Sequence, residues 1–272
     1  MKLAVSNLAW PVADDARVAA LFTELGVRGV ELAPGKVWAT TPVVPDGDAE
    51  SYTAWWRQHG CEVVAFQAIL FGHPEMSIFA TGDTLVATQA HLVAMGHLAR
   101  RCGAQVLVFG APGNRRRGAL SMTAAIVAAA RALRPVAAAL EPTGVQLCIE
   151  PNPPAYGCDF VTTATEALVL AEAVAHVNFG VHLDTAALSL SGEITERLLA
   201  PVMPYVRHCH ISEVDLAAVG TTKTVPHAQL GSTLRALGYA GWLSIEMRGS
   251  EDDSWYNNLH RAVAVAHTAY DA

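Results

Sequence analysis

Charge is scarce in this chain, and positive charge is scarcer than negative. Of 272 residues only 16% are Asp, Glu, Lys or Arg, against 52% hydrophobic, a balance that excludes intrinsic disorder and allows a large core. Eighteen Lys and Arg face twenty-five Asp and Glu, a net charge of −7, so no overall field draws the molecule to phosphate backbones or anionic membranes. Neither nucleic acid nor membrane is an expected partner. Paired cysteine motifs are also missing. The five cysteines, Cys61, Cys102, Cys148, Cys158 and Cys209, are odd in number, widely spaced and without a CxxC pair. That argues against a disulfide framework or a structural zinc ribbon and makes a reducing cytoplasm the expected compartment. Uninterrupted apolar runs of membrane-spanning length are lacking too, because Arg131, Arg134 and Pro135 break the Ala-rich segment 123–140. Residues 1–11 form too short an apolar run for a signal peptide, are followed by Asp14 and Asp15, and read as a strand.

What is present is a rhythm. Short, β-branched apolar runs at 3–8, 27–32, 62–69, 105–109, 145–150, 178–184, 205–211 and 242–247 predict eight strands. Stretches with helical spacing lie between and after them, near 14–25, 48–59, 83–102, 119–140, 164–175, 192–200, 228–237 and 254–270. Eight strand-helix units in one chain of this length predict a closed (β/α)8 TIM barrel, a single α/β domain over residues 1–272. Gly26, Gly60, Gly103, Gly144 and Gly241 each follow a predicted helix and precede a strand, as helix C-caps do. The strand-to-helix connections at 33–47, 70–82, 110–118, 151–163 and 212–227 are longer and more polar, so the chemistry is expected there.

Side-chain parity carries the functional reading. Successive side chains on a barrel strand point alternately to the helices and to the lumen, so residues two apart share a side. Leu147 and Ile149 suit the helix layer, which turns Cys148 and Glu150 inward. By the same rule His182 and Asp184, His208 and His210, and Ser244, Glu246 and Arg248 face inward on the next three strands. Glu150, Asp184, His210 and Glu246 then converge at the strand ends. Three carboxylates beside one imidazole repel one another and are costly to desolvate, and a divalent cation such as Mn²⁺, Mg²⁺, Co²⁺ or Zn²⁺ is the simplest compensation. A salt-bridged plug neutralised by Arg248 is the structural alternative.

At these residues the chain resembles the sugar phosphate isomerase/epimerase group of the xylose isomerase-like TIM-barrel superfamily, which includes ketose 3-epimerases and hydroxypyruvate isomerases. The resemblance rests on Gly29-Val30-Glu31-Leu32, Cys148-Ile149-Glu150-Pro151-Asn152, His182-Leu183-Asp184-Thr185, His208-Cys209-His210-Ile211-Ser212-Glu213 and the segment from Gly238 to Glu246. It implies that Glu150, Asp184, His210 and Glu246 bind one divalent metal, with manganese among the candidates, and that Glu150 and Glu246 are the catalytic pair that moves a proton. The chain departs from the family pattern at Ala187, Leu216 and Tyr156, where relatives carry a histidine, often an arginine and in some cases a second acid. A free ketohexose therefore fits poorly as substrate.

The expected function is a metal-dependent isomerase or epimerase of carbohydrate metabolism. Its substrate is a sugar or other small polyhydroxy-carbonyl compound, deprotonated by a glutamate through an ene-diolate. Substrate contacts are expected from Glu31, Gln67, His182 and His208, the two histidines otherwise orienting a ligand or filling the core, and from Trp10 as an apolar platform or else a core cover. Arg248 is placed to bind a substrate carboxylate or phosphate, or to pair with Glu213 or Glu246. Arg115-Arg116-Arg117 is the one basic cluster, at the site's face; it reads as a solvated loop, with an anionic substrate as the alternative. The alternatives are a metal-dependent lyase (dehydratase) on the same scaffold, a non-catalytic binding barrel, and an endonuclease IV-like repair enzyme. The last is opposed by the negative charge and by Ala187. A homo-oligomer is compatible with the sequence.

Overall fold

Short apolar strands destined for burial on both faces favour parallel pairing. In the computed structural model of the chain, which describes residues 1–250 and 252–271, they close into an eight-stranded parallel barrel in chain order, the expected (β/α)8 architecture. The strands are β1 (Lys2–Ser6), β2 (Gly29–Leu32), β3 (Glu62–Phe66), β4 (Val106–Phe109), β5 (Gln146–Ile149), β6 (Phe179–Asp184), β7 (Val206–Ser212) and β8 (Trp242–Glu246). The outer elements are α1 (Asp15–Leu25), α2 (Pro34–Val37), α3 (Asp48–Gln58), α4 (Gly82–Arg101), α5 (Met122–Leu140), α6 (Ala164–Val174), α7 (Thr185–Ser191), α8 (Glu196–Leu199), α9 (His227–Ala236) and α10 (Ser254–Tyr270). Strand β1 closes the ring on β8, from Lys2 opposite Trp242 to Val5 opposite Ile245.

The parity rule holds on the sheet. Leu147, Ile149, Val181, Leu183, Cys209, Ile211, Leu243, Ile245 and Met247 belong to the large core between strands and helices. Cys148 instead packs inside the barrel with Ala4, Val64, Ala65, Val106 and Val108. This inner cluster plugs the lumen with apolar side chains, as the layers of such barrels do. The apolar helix α5 runs through Pro135 and packs against α4 and α6, with half of its apolar stretch buried.

Three local expectations are corrected. The strand predicted at 62–69 ends at Phe66, because the backbone turns left-handed at Ala68 (φ 53°). The helix predicted at 192–200 is replaced by α7, which starts directly after Asp184, and by the short α8. Asp184 accepts a hydrogen bond from the Ala187 amide at 2.7 Å and so starts α7 without a connecting loop. The turn glycine before β8 is Gly238 (φ 74°) rather than Gly241.

Candidate metal centre

Each proposed ligand ends, or nearly ends, a strand of the second half of the barrel. Glu150 follows β5, Asp184 closes β6, His210 lies on β7 opposite Asp184, and Glu246 closes β8 opposite Ser212. One donor atom from each of the four lies within 4.8 Å of the others. Room for Glu150 comes from Gly110 across the β4–β5 pair, where an added Cβ would stand 1.9 Å from Glu150 Oε2. The Asn152 side chain ties the two strand ends by donating to the carbonyls of Gly110 (2.8 Å) and Glu150 (3.3 Å). Asp184 is fixed at both oxygens, by the Ala187 amide and by the Ser212 hydroxyl.

His210 is 1% exposed, and its two nitrogens face different carboxylates. Nε2 lies 3.1 and 3.0 Å from the two oxygens of Glu31. An ionised carboxylate only accepts, so Nε2 carries the hydrogen. Nδ1 is buried, makes an ion-pair contact of 3.2 Å with Glu246 Oε2 and has no hydrogen bond among the described residues. An imidazole held by a carboxylate through one nitrogen and left open at the other is the arrangement of a metal-ligating histidine. Hard oxygens plus one imidazole suit a divalent ion, so the residues present fit the group that the sequence implies.

The electrostatics agree. Burial, then Glu246 and Asp184, push the Glu150 carboxyl up, and burial and Glu246 do the same to Asp184. Burial works against a charged His210, yet Glu31 and Glu246 hold it well above the ordinary histidine range. A proton is thus drawn into the cluster, and a cation satisfies the same field better.

These groups floor a cavity of about 1260 Å³ bounded by the connections after β3, β4, β5, β7 and β8. Glu150, Asp184, Glu246, Gln67 and Arg248 border it, and so do Asn152 and Tyr156. The structure takes the other expected substrate contacts away from the cavity. Glu31 is fully buried beneath His210, and it also accepts from His208 Nε2 at 3.1 Å. Burial opposes its ionisation, but His210 and His208 hold its carboxyl well below the usual range. His182 is fully buried, both ring nitrogens are unpartnered among the described residues and its ring is 4.0 Å from that of His210, while burial, His210 and His208 push its pKa well down. Trp10 is a core residue: its Nε1 donates to Asp15 at 2.7 Å and its ring packs edge-on against Phe22 and Trp56.

Sequence reasoning missed Arg115. Instead of pointing into solvent, its guanidinium is fully buried over the Phe109 ring (5.9 Å), and none of its three nitrogens has a hydrogen-bond partner among the described residues. Nothing in a run of three arginines marks which one turns inward; the turn at Pro112–Arg115 decides it. Glu213 does not pair with Arg248. It pins the connection after β7 by accepting from the Gly220 amide (3.1 Å), Thr222, Thr224 (3.2 Å) and His227 (3.3 Å).

Residues 19–265 match the family model described as a xylose isomerase-like TIM barrel. None of the curated proteins matches the chain. Among solved structures, D-psicose 3-epimerase in the presence of D-fructose superposes with a TM-score of 0.83 at 14% identity, covering 100% of both chains. The 3-keto-D-glucoside 4-epimerase YcjR from E. coli, in its apo form, gives 0.77 at 16% identity over 97% of this chain and 99% of that one. The IolI protein with a binding zinc atom gives 0.76 at 14% identity over 100% and 98%. At such identities the likeness is one of fold, and function has to be argued from the site.

Proposed function

The chain belongs to the xylose isomerase-like TIM-barrel family, and from that membership and its site we propose a divalent-metal-dependent isomerase or epimerase of a sugar or other small hydroxy-carbonyl compound. The supporting observation is the convergence of three carboxylates and one open imidazole nitrogen within 4.8 Å at the floor of the cavity. Glu150, Asp184, His210 and Glu246 would hold the ion, and Glu31 orients His210 from behind. When bound, the ion supplies the Lewis acidity that makes a carbon-bound hydrogen next to a carbonyl removable. Manganese, magnesium, cobalt and zinc all suit the donor set.

Proton transfer falls to the two glutamates. They end β5 and β8, three steps apart around the ring, and so approach the cluster from different sides. One carboxylate oxygen takes the proton and leaves the substrate as an ene-diolate. The other glutamate delivers a proton to the opposite face, giving an epimer, or to the neighbouring carbon, giving an isomer. Gln67, whose Nε2 donates to Ser6, and Asn152 are amides on the cavity wall that can meet a substrate hydroxyl. D-psicose 3-epimerase and 3-keto-D-glucoside 4-epimerase share this fold, which supports a sugar-like substrate.

Elemental analysis of the purified protein, together with solvent-deuterium exchange into a panel of hydroxy-carbonyl compounds, tests the reading. About one divalent ion per chain, and exchange that disappears in Glu150→Gln or Glu246→Gln, is the expected result. Protein that takes up no divalent ion, or exchange indifferent to both substitutions, overturns it. Loss of water from the substrate in place of exchange would move the chemistry to the lyase alternative with the same residues.

A further inference from the structure

Two arginines stand free at the mouth of the cavity, and the structure explains why they are free. Within the basic run, Arg115 is buried in the protein. Arg117 is tied to the connection after β5, its amide donating to Asp159 Oδ1 at 3.1 Å and its Nε to the Asp159 carbonyl at 2.7 Å. Arg116 between them is exposed, borders the cavity and has no side-chain hydrogen bond or ion pair among the described residues. Arg248 is the second. Its backbone is fixed, with its amide donating to the Leu216 carbonyl at 2.8 Å and the next amide, of Gly249, to the Leu8 carbonyl at 2.9 Å. Its guanidinium is exposed on the cavity wall and equally unpartnered among the described residues. Glu213, one of the two acids the sequence offered as its partner, accepts instead from Gly220 and Thr224 of its own loop.

Strands β4 and β8 are four steps apart in an eight-membered ring, so the two arginines flank the mouth from opposite sides, above the carboxylate cluster. A fixed backbone at Arg248, two unpaired guanidinium forks and a cavity shared with the carboxylate cluster point to an anion site. We propose that Arg116 and Arg248 bind an anionic group of the substrate, a carboxylate or a phosphate monoester, and orient its hydroxy-carbonyl end toward the metal centre. This rests on the function proposed above and narrows its substrate class to acidic hydroxy-carbonyl compounds. In a chain of net charge −7 the preference has to be built locally, and these two side chains build it.

The Mn²⁺-loaded protein, titrated calorimetrically with D-fructose, hydroxypyruvate and D-ribulose 5-phosphate, tests this. At least one anionic probe is expected to bind ten-fold or more tightly than the neutral ketose, and added salt should weaken that binding. Comparing the two anions separates a carboxylate site from a phosphate site. Arg116→Gln and Arg248→Gln should each cost the anionic probe about ten-fold and leave D-fructose unchanged. Both residues are exposed, so folding should survive substitution, and a melting curve checks that. Equal binding of anionic and neutral probes, or arginine variants that weaken both alike, overturns the assignment. Deuterium exchange on the same compounds keeps the two conclusions apart. Exchange confined to neutral ketoses sinks the anion site and leaves the chemistry standing. Anion binding lost in the arginine variants, with no exchange into any probe, supports the anion site and sinks the chemistry.

Discussion

The two halves of the barrel divide the work unequally. Strands β5 to β8 present Glu150, Asp184, His210 and Glu246, while the lumen on the side of β1 to β4 is filled largely by Ala4, Val64, Ala65, Val106 and Val108. Residue pairs tie β7 to β8 from Cys209–Leu243 through Ser212–Glu246, whereas β3 and β4 pair only at Ala65–Val106 and Phe66–Leu107. Elsewhere ladder length does not follow the division, since β2 and β3 pair at four positions, as β7 and β8 do, and β5 and β6 at three; the first half supports the site through its side chains. One residue crosses between them: Glu31 on β2 reaches beneath His210. A charged site survives inside a barrel because an apolar half excludes water and a single carboxylate from that half fixes the imidazole's orientation.

The sharpest test of the division strikes the half that carries the proposed ligands. Glu150→Gln and Glu246→Gln should each lower solvent-deuterium exchange by about 10²–10⁴-fold, the range for losing a general acid or base. Matched changes in the apolar half should leave that rate within a few-fold.

The crossing residue comes next. Glu31→Gln keeps the shape but removes the charge that two imidazoles share, and divalent-ion affinity should fall by roughly 10–100-fold. Calorimetric titration with Mn²⁺ measures this, and an unchanged affinity would reduce Glu31 to a packing element. The contrast is Val108→Ala, which removes two methyl groups from the inner plug. It should cost about 1–3 kcal/mol of stability, read from denaturant unfolding, while Mn²⁺ affinity stays unaltered. A loss of affinity there would show that the two halves are not separable.

Parity made the ligand half legible in the sequence. Polar residues two apart, against apolar ones between them, fix which side of β5 to β8 each occupies, and the strand order places their ends on one face. What escaped is what parity cannot express. Glu31 shows itself only as a glutamate on a strand, and no local pattern announces that it reaches across the barrel to His208 and His210 on β7. Trp10 after a strand end looks the same whether it faces a ligand or the core, and the Asp15 carboxylate decides for the core. The helix misplaced beyond residue 191 reflects a double duty: Asp184 is at once a proposed ligand and a helix cap, so α7 leaves no loop to find. Arg115 was hidden among its neighbours, since composition alone reads three arginines as one solvated cluster.

The smallest effect is a pH dependence that sets the ligand half against the rest of the lumen. In metal-free protein the folded state holds protons on Glu150 and His210 more tightly than the unfolded chain does. A raised folded pKa contributes stability that is present at low pH and lost as pH climbs through it. His182, pushed down by burial, works in the opposite sense, but only below the ordinary histidine value of 6.5. Glu31, also held down, acts lower still, below the ordinary carboxylate value of 4.5. From about pH 6.5 to about pH 8 the raised groups therefore act without this opposition, and the melting temperature of metal-free protein should decline across that interval. A bound divalent ion replaces those protons, so saturating Mn²⁺ should flatten or reverse the decline and stabilise the protein more at the upper end. Melting curves at the two pH values, with and without Mn²⁺, read this directly. A metal-free melting temperature that rises across the interval would show that the second half of the barrel does not gather its carboxylates as closely as described.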